Sequence, residues 1–181
     1  TMCSIFDWDN RLVESAAFRL HSEGNESFPY RLIDLAIKKK GESQYLEVTK
    51  ASMLAVEGKV EEAFDVIKTL DPSCHDNFNL VLGKLYAGVD NWVKAEEYWR
   101  RQLELSVPNS QIFHQLGNHY MSELRDHVGA EKIYRQAIES FPEDYNLVAF
   151  LGESLRLQGK NDQALSFYKR AKELCVGVDG D

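Results

Sequence analysis

The sequence predicts an all-α fold, a right-handed α-solenoid in which antiparallel helix pairs stack on one another. Three observations predict it. A glycine recurs at Gly83, Gly117 and Gly152, at intervals of 34 and 35 residues. An alanine follows each glycine 12 or 13 residues later, and an aromatic residue follows each alanine four residues later, so several offsets repeat together. Finally, no stretch of alternating apolar and polar residues indicates a strand of useful length.

The repeated small residues predict close helix packing. A glycine inside a helix costs about 1 kcal/mol relative to alanine, so its recurrence at one phase indicates that a neighbouring helix approaches closely. We expect the alanines to face that approach and the aromatic residues to fill the layer between repeats. The alanines are Ala95, Ala130 and Ala164, and the aromatic residues are Trp99, Tyr134 and Tyr168. Because one pair cannot bury its apolar face alone, neighbouring pairs must stack.

We predict a single domain over residues 1–181 that contains about five repeats. The first repeat, 10–43, is degenerate because Pro29 stands where the small residue of the second helix belongs, although proline fits the first turn of a helix. Pro72, Pro108 and Pro142 close three of the later units. The later repeats span 44–75, 76–109, 110–144 and 145–178.

The 3.6-residue period of apolar residues predicts ten helices joined by short turns. Glycines and cap-forming polar residues mark those turns. The predicted helices are 8–22, 29–40, 44–57, 60–70, 77–89, 91–106, 110–124, 127–140, 144–158 and 161–175.

The repeated residues resemble the tetratricopeptide repeat (TPR) family, whose 34-residue pattern is W-x2-L-G-x2-Y, then A-x3-F, then a small residue and a proline. The resemblance is specific over residues 76–174 and indicates no particular member. Its first half is carried by Leu82-Gly83-x-x-Tyr86, Leu116-Gly117-x-x-Tyr120 and Leu151-Gly152-x-x-Leu155.

The resemblance implies a protein-protein interaction scaffold. In this family the first helix of each pair lines a concave face and exposes its second, fifth, ninth and twelfth positions to a partner peptide or helix. These positions mix amides with a few apolar and charged residues, and an amide can both donate to and accept from a peptide backbone. The implied contact residues are Tyr45, Val48, Ser52, Asn77, Leu80, Lys84, Gln111, His114, Asn118, Met121, Asn146, Glu153 and Arg156.

One family subclass is not matched. TPR domains that hold the Glu-Glu-Val-Asp tails of chaperones use a carboxylate clamp, which needs lysine and asparagine at positions five and nine of one repeat. It also needs asparagine at position six of the next repeat, and lysine and arginine at positions two and six of the third. Here positions five and nine are Val48/Ser52, Leu80/Lys84, His114/Asn118 and Ala149/Glu153. We therefore predict that the chain does not bind the Glu-Glu-Val-Asp chaperone tail.

Composition excludes several classes of function. The formal net charge is −8, which argues against nucleic-acid binding because phosphate contacts need a basic surface. No apolar run approaches the roughly 20 residues that span a bilayer, and no signal peptide is visible. Cys3, Cys74 and Cys175 are odd in number and lack metal-ligand spacing, which favours a reducing, cytoplasmic location.

No sequence feature predicts catalysis, a cofactor or a metal. HExxH, GxSxG, Walker and GxGxxG motifs are all absent from the sequence. His114 and His119 are five residues apart, which is not the i, i+4 spacing of a helical zinc pair, and we expect His119 at a helix flank. Structural roles are the simpler interpretation for these histidines and for His127.

Three functions are compatible with this reading. The first is a scaffold that forms a subunit or segment of a larger complex. The second is a dedicated chaperone for assembling or secreted client proteins, which fits the acidity but less well the number of repeats. An RNA-processing scaffold of the half-a-TPR type fits least. Because little sequence follows Leu174, we also expect the C-terminal face to dock a missing segment or to dimerise.

Overall fold

The computed structural model describes residues 9–25, 27–41, 43–104 and 109–178. Within those ranges the chain forms ten α-helices, a 3₁₀ turn and a π-helical turn, and it contains no strand, which confirms the predicted all-α class. The helices are α1 (Asn10–Ser22), α2 (Phe28–Lys40), α3 (Gln44–Val56), α4 (Val60–Ile67), α5 (Phe78–Gly88), α6 (Trp92–Glu104), α7 (Ser110–Asn118), α8 (His127–Ser140), α9 (Tyr145–Leu157) and α10 (Asn161–Val178).

Most helix boundaries agree with the prediction to within about three residues, and two regions depart from regular helix. The second pair ends in a 3₁₀ turn at Pro72–Cys74, because α4 stops at Ile67 and Asp71 caps the turn. The last turn of the seventh helix is a π-helix, His119–Glu123. The predicted helix ends at 8 and 106, together with Cys3 and Pro108, lie outside the described residues.

Polar side chains at the helix starts explain where several helices begin. Each carboxylate, amide or hydroxyl oxygen accepts hydrogen bonds from backbone N–H groups that have no partner within the helix. Pro29 stands in the first turn of α2, as predicted. The capping side chains are Asp9, Ser43, Asn109, Asp126 and Asp144.

The turn between the two helices of each pair uses one residue in the left-handed region. Three of these residues are glycines, which adopt positive φ without a steric penalty. Asp90 and Arg125 take the same role with side chains, at φ 57° and 52°. The glycines are Gly24, Gly58 and Gly159, with φ between 77° and 81°. All five pairs of the described residues therefore have a left-handed residue in the turn, although only three of them use glycine for it.

The chain divides into two compact units, unit 1 (residues 1–98) and unit 2 (residues 99–181). In unit 1, α1 pairs with α2 and α3 with α4, and the first helices touch in the order α1–α3–α5. In unit 2, α7 pairs with α8 and α9 with α10, and α7 touches α9. In both units the first helices of successive pairs therefore lie next to each other.

Two of the three recurring glycines, Gly117 and Gly152, are sites of close approach, as predicted. A Cβ atom on Gly117 would overlap the ring of Tyr134 in the partner helix α8. On Gly152 it would lie 3.1 Å from the ring of Tyr168 and 3.3 Å from the carbonyl oxygen of Ala164. The glycine of the first helix therefore makes room for the aromatic side chain of the second helix.

The π-helical turn explains an irregularity in the repeat. Gly117 and Ala130 are 13 residues apart, whereas 12 separate Gly152 from Ala164. The extra residue is absorbed where the Leu124 N–H donates to the His119 carbonyl oxygen at 3.1 Å, which is an i to i+5 bond. The expectation that His119 lies at a helix flank is wrong. His119 is 4% exposed and lies edge-on to Trp99, and the residues at the same position after Gly83 and Gly152, Leu85 and Ser154, are buried as well.

Candidate protein-interaction surface

The predicted contact residues divide into exposed, half-buried and buried side chains. The exposed ones all lie in unit 2 and are Gln111, Asn118, Asn146 and Arg156. The half-buried ones are Tyr45, Ser52, Asn77, Lys84, His114, Met121 and Glu153. The surface that a partner can reach is therefore richest on α7 and α9.

Val48 and Leu80 do not belong to this surface. Their exposures are 0% and 2%, so their side chains cannot reach a partner, and the prediction for these two positions is corrected. Val48 lies three residues before Ala51, and Leu80 lies three residues before Gly83. Residues three apart share one face of a helix, so both side chains point into the packed layer together with the small repeat residue.

In unit 1, Tyr45 is tied into a network that spans two first helices. Its hydroxyl donates a hydrogen bond to the Glu14 carboxylate of α1, and its ring stacks on the His75 ring with centroids 4.1 Å apart. Nε2 of His75 lies 3.0 Å from the same carboxylate. Burial raises the pKa of Glu14, but the hydrogen bonds from His75 and Tyr45 outweigh it and hold that pKa below its ordinary value. Tyr45 therefore links α3 to α1.

The pairing of Glu14 with His75 could not be recognised from the sequence. They lie 61 residues apart, and His75 precedes α5, where a repeat pattern assigns no functional position.

Lys84, which was predicted to contact a partner, is half-buried, and burial lowers the pKa of its ammonium group.

In unit 2, Asn118 has a fixed orientation. The Tyr134 hydroxyl of α8 donates to Oδ1 of Asn118 at 3.1 Å. With its oxygen engaged, the exposed amide presents its NH₂ group as a donor. Asn146, on the adjacent first helix, is also exposed, and its backbone N–H is capped by Asp144. The α7–α9 face thus offers amides to a polar backbone.

Aromatic rings pack against Tyr134, the residue that orients Asn118. The ring of Phe150 stacks on Tyr134 at 5.7 Å, and the His114 ring meets Phe150 edge-on at 5.6 Å. Nε2 of His114 also lies 3.6 Å from Oδ2 of Asp144. His114 is therefore a packing and pairing residue that fixes α7 against α9, which agrees with the structural role expected from the sequence.

Arg156 is exposed, but its charge is balanced locally. Its guanidinium donates to both carboxylate oxygens of Glu153, at 2.8 and 2.6 Å, and the Tyr168 hydroxyl donates to Oε2 at 2.6 Å. The hydrogen bonds from Arg156, together with that from Tyr168, lower the pKa of Glu153 to about 2 despite its burial. The α7–α9 face is therefore polar with little net charge at this point.

Within the described ranges, no group of three or more His, Cys, Asp or Glu side chains is placed to hold a metal ion. In that part of the chain, no helix has the length and apolarity that a membrane crossing requires.

A family model for the tetratricopeptide repeat matches residues 147–180. Among curated proteins, the mouse BBSome complex member BBS4 is 27% identical over 137 residues, which cover 74% of this chain. That match covers 26% of BBS4, so the chain corresponds to about a quarter of the length of this relative.

Known structures share the fold at low sequence identity. A thermophilic TPR protein of Thermus thermophilus is 18% identical, with a TM-score of 0.71 over 92% of this chain and 91% of that one. The crystal structure of MamA is also 18% identical, with a TM-score of 0.70 over 91% of this chain and 97% of its own. At these identities the likeness establishes the fold alone.

Proposed function

We propose that this chain, a tetratricopeptide-repeat protein, is a non-catalytic scaffold. It binds a partner peptide or helix along the concave face of its first helices. The repeat and the fold support a protein-interaction scaffold. The geometry of α7 and α9 supports contact through the first helices.

One observation carries the proposal. Asn118 and Asn146 stand exposed on two first helices that touch each other, and the hydroxyl of Tyr134 fixes the first amide. A preorganised amide loses little side-chain entropy on binding. Gln111 and Arg156 extend the same polar face. An extended backbone has the alternating N–H and C=O groups that such amides complement.

A role as subunit or segment of a larger complex is supported by the curated relative. BBS4 is named as a member of a complex, and this chain matches about a quarter of it. We infer that the present chain likewise works as one part of an assembly. A cytoplasmic location, favoured by cysteine usage, belongs to the same proposal.

The amide content of the face bears on the kind of partner. The chaperone-tail clamp needs lysine and arginine side chains aimed at carboxylates, whereas the exposed predicted contacts on α7 and α9 are three amides and Arg156, which is already paired with Glu153. We therefore keep the prediction that the Glu-Glu-Val-Asp tail does not bind.

Affinity capture with the whole chain tests the scaffold. We expect one or a few partners in fixed stoichiometry, and we expect Asn118→Ala with Asn146→Ala to remove them. A matched control replaces two exposed amides on second helices, Gln136→Ala and Gln163→Ala. Capture by the control but not by the first variant supports the proposal, whereas equal capture by both variants contradicts the assigned face.

A dedicated chaperone for assembling or secreted clients is the alternative, which the acidic composition favours. It predicts many sub-stoichiometric clients in the same capture, and their release when the clients fold. Fixed stoichiometry would exclude this alternative.

A further inference from the structure

Unit 1 contains two polar trios of the same composition, in each of which one glutamate carboxylate accepts hydrogen bonds from a histidine and a tyrosine. In both trios Nε2 of the histidine lies 3.0 Å from the carboxylate. Burial raises the pKa of both carboxyl groups, but the hydrogen bonds that they accept hold both pKa values below the ordinary value. The trios are the Glu14 trio, with Tyr45 and His75, and the Glu57 trio, with Tyr30 and His21.

The second ring nitrogen distinguishes the two histidines. The Asn77 backbone N–H donates to Nδ1 of His75 at 2.9 Å, and the side chain of His75 is only 3% exposed. Nδ1 therefore carries no proton, and the single ring proton lies on Nε2, which donates to Glu14. Among the described residues, the ring of His21 bonds through Nε2 alone, and its side chain is 19% exposed. The neutral form of His75 thus satisfies two protein partners at once.

His75 caps the start of α5 with two acceptors. The first N–H groups of a helix have no acceptor within it, and α5 receives no cap from the side chain of Asn77, its N-cap residue. The ring of His75 accepts from the Asn77 N–H, and the His75 carbonyl oxygen accepts from the Phe78 N–H at 3.1 Å. The residue that caps α5 therefore also connects its start to Glu14 of α1.

We propose that His75 is a pH-sensitive cap: the neutral ring holds the first turn of α5, and uptake of a proton releases it. The proton can enter the neutral ring only at Nδ1, and a protonated Nδ1 is a donor that no longer accepts from the Asn77 N–H. The bond from Nε2 to Glu14 is available to both forms, so the loss falls on α5. A partly buried N–H without its acceptor is destabilised, and the turn opens more often.

Charged and titratable groups face the ring from several elements. The Tyr45 ring stacks on it at 4.1 Å, and an aromatic face accommodates a cation. Arg11 pairs with Asp76 at 3.5 Å, so this guanidinium is balanced by a carboxylate. The surroundings therefore admit an imidazolium, and protonation acts through the bond at Nδ1. The groups are Glu14 and Arg11 on α1, Tyr45 on α3, Asp76 before α5, and Asp71 and Cys74 at the 3₁₀ turn.

This inference goes beyond the scaffold function and does not depend on it. It concerns the first turn of α5, whereas the scaffold function is assigned through α7 and α9. A pH-dependent contact at Asn77, one of the predicted contact residues, would follow only if the proposed function also holds. The experiment reads α5 itself without a partner, so the two proposals can fail separately.

Nuclear magnetic resonance of the whole chain between about pH 8 and about pH 5 tests the cap. Long-range ¹H–¹⁵N spectra report the tautomer and the protonation of each imidazole, and hydrogen exchange reports the protection of the Asn77, Phe78 and Val81 amides. We expect the Nε2–H tautomer of His75 at the upper pH. Protection, corrected for the intrinsic effect of pH, should fall at least about fivefold as His75 gains its proton. Glu14 stays ionised in this range because its pKa is lowered.

Two variants locate the effect. His75→Asn keeps a side-chain oxygen that can accept from the N–H two residues on, but it cannot take up a proton, so protection at α5 should not change with pH. The matched control is His21→Asn, which removes the imidazole of the Glu57 trio. It should leave the pH response of α5 unchanged, and circular dichroism verifies that both variants are folded.

Three results would overturn the proposal. The first is an Nδ1–H tautomer of His75 at the upper pH, and the second is constant protection of the α5 amides while His75 gains its proton. The third is a pH response at α5 that persists in His75→Asn or disappears in His21→Asn. If His75→Asn does not fold, the first two measurements on the unaltered chain still decide.

Discussion

The helix pairs α7–α8 and α9–α10 carry the same repeat, yet they pack their central aromatic residue differently. Tyr134 is fully buried between Gly117 and the Phe150 ring of the next pair. Tyr168 occupies the equivalent place beside Gly152, but it is only half-buried, and its hydroxyl bonds to Glu153 at the surface.

The two pairs also differ by one residue. The longer interval between Gly117 and Ala130 is accommodated by the π-helical turn, and the turn that follows uses Arg125 where the α9–α10 pair has Gly159. Residues that match in sequence thus experience different constraints, because the neighbours that surround them differ. Five substitutions test this contrast, with the largest expected effect and its matched control first.

Gly117→Ala should have the largest effect. The new methyl group overlaps a Tyr134 ring that is held on all sides, and overpacking of this kind costs about 1–3 kcal/mol, more than the helix propensity gained by alanine. We expect a loss of about 2 kcal/mol in the free energy of unfolding. Urea denaturation followed by circular dichroism measures it.

Gly152→Ala is the matched control for that substitution. Its Cβ would stand 3.1 Å from the ring of Tyr168, a half-buried side chain that can move. We expect the free energy of unfolding to change by less than about 1 kcal/mol. The cost of moving the Tyr168 ring away from the new methyl group offsets the helix propensity that alanine gains. Equal losses for both variants would show that the two pairs are packed alike.

Gly159→Ala isolates the backbone requirement of the turn. No atom lies within 4 Å of the added Cβ, so the effect comes from φ, which is 78°. A left-handed conformation costs an L-residue roughly 1–2 kcal/mol, partly offset by the reduced entropy of the unfolded chain. We expect a loss of about 1 kcal/mol in urea denaturation. An unchanged midpoint would mean that the turn relaxes.

Arg125→Gly should change stability in the opposite direction. Arg125 already occupies the left-handed region at φ 52°, and glycine removes that strain while adding entropy to the unfolded chain. We expect a gain of about 0.5 kcal/mol, measured as a rise in Tm. A fall in Tm would show that the arginine side chain stabilises the π-helical turn.

Glu131→Gln addresses the polar contact between the pairs. Burial raises the pKa of Glu131, but hydrogen bonds from Lys160, Gln158 and Arg135 lower it to about 2, from an ordinary value of 4.5. A carboxylate with a lowered pKa in the folded state stabilises fully above pH 4.5, and that contribution is lost as the pH falls towards 2.

The expected loss for Glu131→Gln at neutral pH is about 0.5 kcal/mol, since Lys160 and Arg135 are partly exposed. The variant should also lose less stability than the parent between pH 4.5 and 2. Thermal denaturation over this range, with Glu139→Gln on the same helix as control, measures both. Parallel pH profiles for parent and variant would contradict the role of Glu131.

Much of the fold was predictable because its causes are local or periodic. A 3.6-residue period specifies a helix, and a 34-residue period of small and aromatic residues specifies a stack of helix pairs. The all-α class, the ten helices and the close approach at Gly117 and Gly152 therefore follow from residue types and spacings.

The candidate surface was only partly predictable. Gln111, Asn118, Asn146 and Arg156 are exposed, as the position rule implied, but Val48 and Leu80 are buried. A rule that counts positions along one helix cannot include the helix packed against it. The partner of an exposed side chain is equally invisible, and here Tyr134 orients Asn118 while Glu153 balances Arg156.

By itself, the sequence determined which segments are helical and which small residues must meet a neighbour, because propensity, capping and periodicity act over a few residues or at a regular interval. The tertiary structure decided how the extra residue before Ala130 is absorbed, that His119 is buried, and that Glu14 joins Tyr45 to His75. The packing of His119 against Trp99 and the link from Glu14 to Tyr45 and His75 depend on contacts between residues 20 to 61 positions apart, whose energies exist only once the helices have packed.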